Sequence, residues 1–194
     1  MSKGRMEAFS DGVFAIIITI MVLDLKVPQS GNFSALMGTL PLFLSYALSF
    51  VLVGLYWNNH HHLLQATEHI SGGVLWANLH LLFWLTLTPF VTAWMGQNYK
   101  ASAPVAVYGA VLLLAGVAYY ILTKSLLAHH SENSALARAV GRDVKGQMSV
   151  LIYAVGIPLA FWRVWAADAC YVLVAVMWFI PDPRIERVVH GDGV

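Results

Sequence analysis

The sequence predicts an all-α, polytopic membrane protein with six transmembrane helices in a single domain spanning residues 1–194. Three observations predict it. Hydrophobic residues make up 59% of the chain and the mean hydropathy is +0.68. Only 11% of residues are charged, against about 25% in an average soluble domain. Apolar runs approaching the ~20 residues that cross a bilayer recur along the chain. The runs are continuous, unlike the alternating segments of a transmembrane barrel, and open strand edges would be left unsatisfied in lipid. The net charge of +1 gives no support for a nucleic-acid partner. Cys170 is the single cysteine, so no intrachain disulfide is expected.

The first span is read as 6–26. Its uncharged core, Gly12 to Leu23, lies between Asp11 and Asp24. As a helix, that core rises only about 18 Å, short of a hydrocarbon layer about 30 Å thick. Either the segment does not cross, or an acidic end lies at membrane depth, where a carboxylate faces protein or water and marks a functional site by default. The run ends in Asp24-Leu25-Lys26 with no small-residue cleavage site after it, so a retained helix is expected and not a signal peptide. Val27 to Asn32 reads as a loop punctuated by Pro28 and Gly31. The second span is 35–60, with His60-His61-His62 as a polar extension. Ser71-Gly72-Gly73 breaks the chain before a third span at 74–96. A polar loop from Gln97 to Ser102 precedes a fourth at 103–128. The polar stretch from His129 to Gly146 separates it from short fifth and sixth spans, 147–163 and 167–181, joined tightly at 163–168 as a helical hairpin.

Six spans put both termini on one side. That side carries Lys3, Arg5, Lys124, Arg138, Arg142, Lys145, Arg184 and Arg187, and the other carries Lys26, Lys100 and Arg163. This asymmetry places both termini in the cytoplasm. Six of the seven tryptophans fall near span ends, as an aromatic belt requires, and Trp84 is the exception.

On the first helix Ile16, Thr19, Ile20 and Leu23 recur at i, i+3, i+4 and i+7, which is one stripe. Around an axis of several copies, the stripe makes stacked aliphatic rings that can gate by dewetting. From periodicity alone, a helix packed against its neighbours is the weightier reading, because the opposite faces are apolar too. Ser10 and Asp11 form the second candidate site. A bare carboxylate at that depth costs roughly 2.5–3.5 kcal/mol on insertion scales, so donors are required. Asn78, His80 and Trp84 in the third span are the candidates, and His80 and Trp84 share a helix face at i, i+4. Two alternatives stand beside this one: a proton or cation site using Asp11 and His80, and a helix N-cap at Ser10 or Asp11.

The histidine run invites a metal reading with Glu68 and His69. Adjacent helical side chains point about 100° apart, so three in a row cannot face one ion, and no metal or other cofactor is expected. No nucleophile elbow, H-E-x-x-H, phosphate loop or dinucleotide fingerprint is present, so no enzyme is expected. The T-V-G-Y-G filter of conventional potassium channels is absent as well.

Arg5-x-x-x-Phe9-Ser10-Asp11, followed by Gly12 and an aliphatic run, closely resembles the signature of the transmembrane protein 175 family of potassium channels. The pieces Asn78-Leu79-His80-Leu81-Leu82-Phe83 and Leu87-Thr88-Pro89-Phe90 fit it as well. The resemblance implies a homotetramer in a prokaryotic plasma membrane, with K⁺ as the permeating ion and the first helix of each subunit lining the pore. It also implies that the narrow point is Ile16, seven residues beyond Phe9, with Thr19, Ile20 and Leu23 as further pore layers. That reverses the weighting of the stripe. Arg5, Phe9, Ser10 and Asp11 become structural anchors, with His80 and Trp84 as their partners. The histidine run is not part of the resemblance.

Overall fold

A computed structural model describes residues 2–67, 70–128 and 143–179. Every regular element among them is helical: α1 (Lys3–Leu23), α2 (Phe33–Gly38), α3 (Leu40–Gln65), α4 (Gly72–Thr86), α5 (Thr88–Gln97), α6 (Ser102–Leu127), α7 (Val144–Trp162) and α8 (Val164–Phe179). Five stretches are long and apolar enough to cross a membrane, α4 and α5 counting as one, and α8 is a shorter apolar helix. The order of six spans is as expected, but the boundaries shift. The second span starts at Leu40 and runs through all three histidines to Gln65. Glu68, His69, the loop 129–142 and the tail from 180 onward, with Arg138, Arg142, Arg184 and Arg187, lie outside the described residues.

Local sequence explains the breaks. Pro41 occupies the first turn of α3, where its missing N–H costs nothing. Ser71 caps α4 by accepting from the Val74 amide, and Asp143 caps α7 by accepting from Gly146 N at 2.8 Å. The third span is not one helix. Pro89 cannot donate to the ladder, so the chain turns at Leu87 and restarts as α5. The hairpin between α7 and α8 is tighter than expected, with Arg163 alone between them.

The interior divides into two packed regions. In the first, Phe14, Ile17 and Met21 of α1 meet Val53 and Leu64 of α3, Leu81 and Leu85 of α4, and Ala118 and Leu122 of α6. In the second, α3, α5 and α6 meet α7 and α8 around Tyr108, Tyr153 and Tyr171. Small residues bring backbones together there, as in membrane helix pairs generally. A Cβ on Gly96 would lie 2.8 Å from the Leu42 backbone, so α5 sits directly on α3. The Tyr171 ring fills notches left by Gly109 and Gly156, and its hydroxyl donates to Val105 O at 3.1 Å. Ser49 links α3 to Thr92 at 2.7 Å and to the Tyr108 hydroxyl at 2.9 Å.

Candidate functional site

Helix α1 has two unlike faces. Met6, Ser10, Phe14, Ile17 and Met21 are buried against the rest of the chain. Phe9, Ile16, Ile20 and Leu23 are exposed, Ile16 at 57% and Leu23 at 80%. Thr19 shares that uncovered side, and its hydroxyl turns back to donate to Ala15 O and Ile16 O, each at 3.0 Å. The predicted stripe therefore lies on the side of α1 that its own chain leaves free. At 21 residues α1 is about 31 Å long, enough to span the hydrocarbon layer.

The helix begins seven residues before Ser10, with Ser2 at its N-cap, so the capping role considered for Ser10 and Asp11 is excluded. Ser10 is fully buried and donates to Met6 O at 2.8 Å. That commits its proton, so its oxygen accepts from Asn78 Nδ2 at 3.0 Å. Asn78 Oδ1 then faces His60 Nε2 at 2.8 Å. The direction of the chain fixes the imidazole: Nε2 carries a proton and donates to Asn78. One buried polar line thus ties α1 to α4 and α3. The His60 ring also packs against Phe14, with centroids 5.6 Å apart. A carboxamide does not pass protons on, so this line positions α1 and does not conduct.

The partners of Asp11 differ from those expected. Asp11 is exposed and accepts from Trp57 Nε1 at 2.9 Å, on α3. Trp57 stacks on His61, whose Nε2 lies 2.9 Å from Gln65 Nε2, and Lys3 donates to Gln65 O at 3.2 Å. His80 and Trp84 do not reach Asp11 within the chain. Trp84 Nε1 donates to His80 Nε2 at 3.0 Å on the exposed side of α4, because Asn78, two residues before His80, takes the side that faces α1. Arg5 and Phe9 are exposed on α1.

Sequence reasoning missed two residues, Trp57 and His60. The polar-extension reading fails for His60, which is 1% exposed. It continues the buried stripe of Leu52, Val53, Leu63 and Leu64 on α3 at helical spacing, and that spacing was the available signal. Trp57, His61 and Gln65 recur every four residues along the outer face. Among the described residues, no three His, Cys, Asp or Glu side chains are grouped to hold a metal.

A bundle of apolar helices, with one spanning helix that buries a polar-pinned face and leaves an aliphatic stripe free, defines a polytopic helical membrane protein. Residues 5–89 match the family model described as endosomal/lysosomal potassium channel TMEM175. A potassium channel of Chryseobacterium sp. (strain P1-3) is 50% identical over 96% of this chain and 97% of its own. The chain belongs to the TMEM175 channel family. A mouse relative named endosomal/lysosomal proton channel TMEM175 is 33% identical over 68% of this chain and 30% of its own. The crystal structure of a lysosomal potassium-selective channel TMEM175 homolog from Chamaesiphon minutus superposes with a TM-score of 0.79 and 28% identity, covering 92% of this chain and 96% of that one.

Proposed function

We propose that this chain is a potassium-permeable leak channel that assembles as a homotetramer in a prokaryotic plasma membrane, with both termini cytoplasmic. The observation that carries this reading is the free aliphatic stripe on α1, opposite a face pinned by buried hydrogen bonds. Four copies of that face around an axis make Ile16 the tightest ring, with Thr19, Ile20 and Leu23 as further layers. Such rings replace no hydration shell, so selectivity rests on the cost of partial dehydration, which K⁺ meets more easily than Na⁺, and is modest. Arg5, Phe9, Ser10 and Asp11 hold α1 in place. His80 and Trp84, paired on the outer side of α4, serve the contact with a neighbouring copy. The test is flux in proteoliposomes under K⁺ and Na⁺ gradients, with mass measurement of the assembled particle. K⁺-preferring flux from a tetramer, altered by Ile16→Asn, is the expected result. Flux that the substitution leaves unchanged removes Ile16 from the constriction.

The mouse relative's name favours one second reading, a proton channel or proton-coupled transporter using Asp11 and His80. Strongly pH-dependent flux that His80→Ala abolishes is its signature.

A further inference from the structure

A cavity of about 300 Å³ lies between α3, α6, α7 and α8, away from α1. It is at the low end of small-molecule sites, which run from about 300 to 1,000 Å³. Its walls are mostly apolar: Leu52, Leu55, Val117, Val150 and the Trp178 ring. Gly116 keeps it open on the α6 side, since a Cβ there would come within 3.3 Å of Val150 and 3.6 Å of the Tyr56 hydroxyl oxygen.

Neutral polar side chains line the cavity as well, among them the four of Tyr56, Tyr153, Asn59 and Gln147. None of the four makes a side-chain hydrogen bond to the described residues. Tyr119 and Ser149, also in the lining, are committed. Tyr119 donates to Asn59 O at 3.2 Å, and Ser149 accepts from Trp178 and donates to Lys145 O, both at 2.8 Å. The contrast is sharpest at Tyr153, which is 2% exposed. Its hydroxyl is not closed off in the packing and has no partner among the described residues, so it is free to bond a group that enters the cavity. The Asp143 carboxylate, which also lines the cavity, sets its charge preference against anions. The lining includes the first turn of α7 and the last turn of α8, which places it toward one end of the bundle.

We infer that this cavity binds an uncharged amphiphile, with a hydrocarbon body against Leu52, Leu55, Val117 and Val150 and a hydroxyl or carbonyl head hydrogen-bonded by Tyr56 and Tyr153. The site is independent of the pore reading, because none of its residues belongs to α1. Both a membrane lipid with a glycerol hydroxyl and a free long-chain alcohol carry this chemistry.

The test uses the full chain in lipid nanodiscs and a decanol bearing a diazirine on its chain, with adducts located by peptide mass spectrometry. The expected result is labelling concentrated on residues 52–59 and 143–153. Excess 1-decanol should compete with it, and decanoate should compete at least tenfold less well. Competition by monodecanoylglycerol at lower concentration than decanol assigns the site to membrane lipid, and the reverse order assigns it to a free alcohol. The double substitution Tyr56→Phe with Tyr153→Phe keeps the shape and should cut labelling several-fold. Gly116→Phe, which fills the cavity, should abolish it while the variants still assemble. Labelling spread evenly over the outer helix faces, insensitive to excess decanol, overturns the proposal. So does labelling that the double tyrosine variant leaves unchanged.

Discussion

Helices α1 and α6 are both apolar spans of membrane-crossing length, yet the chain treats them differently. Half of the apolar window of α6 is buried within the chain, against 28% for α1. Helix α6 packs against α4, α5, α7 and α8, with Val105, Tyr108, Ala118 and Leu122 at or near zero exposure. Helix α1 packs on α3, α4 and α5 and leaves a full side uncovered. The way the two are held differs as well. Helix α6 is held on several sides, by the Tyr171 ring seated on Gly109 and by hydrogen bonds of Tyr108 with Ser49 and of Tyr119 with Asn59 O. Helix α1 is held on one side only, by its packed apolar residues and by the bonds of Ser10, Asn78 and His60 on its inner side and of Asp11 and Trp57 at its edge. In lipid no hydrophobic force drives helices together, so close packing and interhelical hydrogen bonds do the holding. Directional bonds fix the rotation of a helix that is packed on one side only, and rotation decides which residues the free side presents.

The contrast makes predictions that can break it. The largest effect falls on the free face: Ile16→Asn should lower the K⁺/Na⁺ permeability ratio several-fold with little change in thermal stability, read by reversal potentials and melting of the purified protein. If the ratio holds while stability collapses, the free face is a packing face. Next comes the pinned side. Asn78→Leu leaves the buried His60 Nε2–H unpaired, at about 1–3 kcal/mol, and removes the bond that Ser10 Oγ accepts while its own bond to Met6 O remains. The expected outcome is a lower melting temperature together with a changed permeability ratio, because α1 loses its rotational reference. His60→Gln should restore more of the ratio than His60→Leu, since a carboxamide can still donate to Asn78. On α6, which is packed on several sides, Gly109→Ala pushes a methyl into the Tyr171 ring and should destabilise by about 1–3 kcal/mol, measured by thermal melting, with the permeability ratio of the surviving channels unchanged. The smallest effect is Thr19→Val. The hydroxyl serves Ala15 O and Ile16 O of its own helix, so ion preference should shift less than in Ile16→Asn.

Much of the site was legible because it is local. The stripe Ile16, Thr19, Ile20 and Leu23 follows from a period of 3.6 residues, and Asn78, which bonds Ser10, was among the third-span donors that the Asp11 carboxylate called for. Asp11 was assigned the wrong donors. Asn78, His80 and Trp84 were all plausible from chemistry, and three residues on one helix cannot all face the same neighbour. Trp57 was overlooked because a tryptophan near a span end reads as a membrane anchor, whatever else its N–H does. His60 was read as polar and outward because it stands beside two other histidines, although only its place on the α3 stripe decides its burial.

By itself the sequence determined the membrane class, the order of the spans, the resemblance in the first helix and the register of its aliphatic stripe. These rest on composition and on periodicities that a chain carries before it folds. Only the tertiary structure decided which side of α1 is covered, which donor meets Asp11, that His60 is an inner hydrogen-bond donor, and that the third span breaks at Leu87 to seat α5 on α3. In a chain apolar on every face, hydropathy cannot choose a helix's rotation. That choice is made by a few directional hydrogen bonds and close backbone contacts between residues as far apart as Ser10 and Asn78.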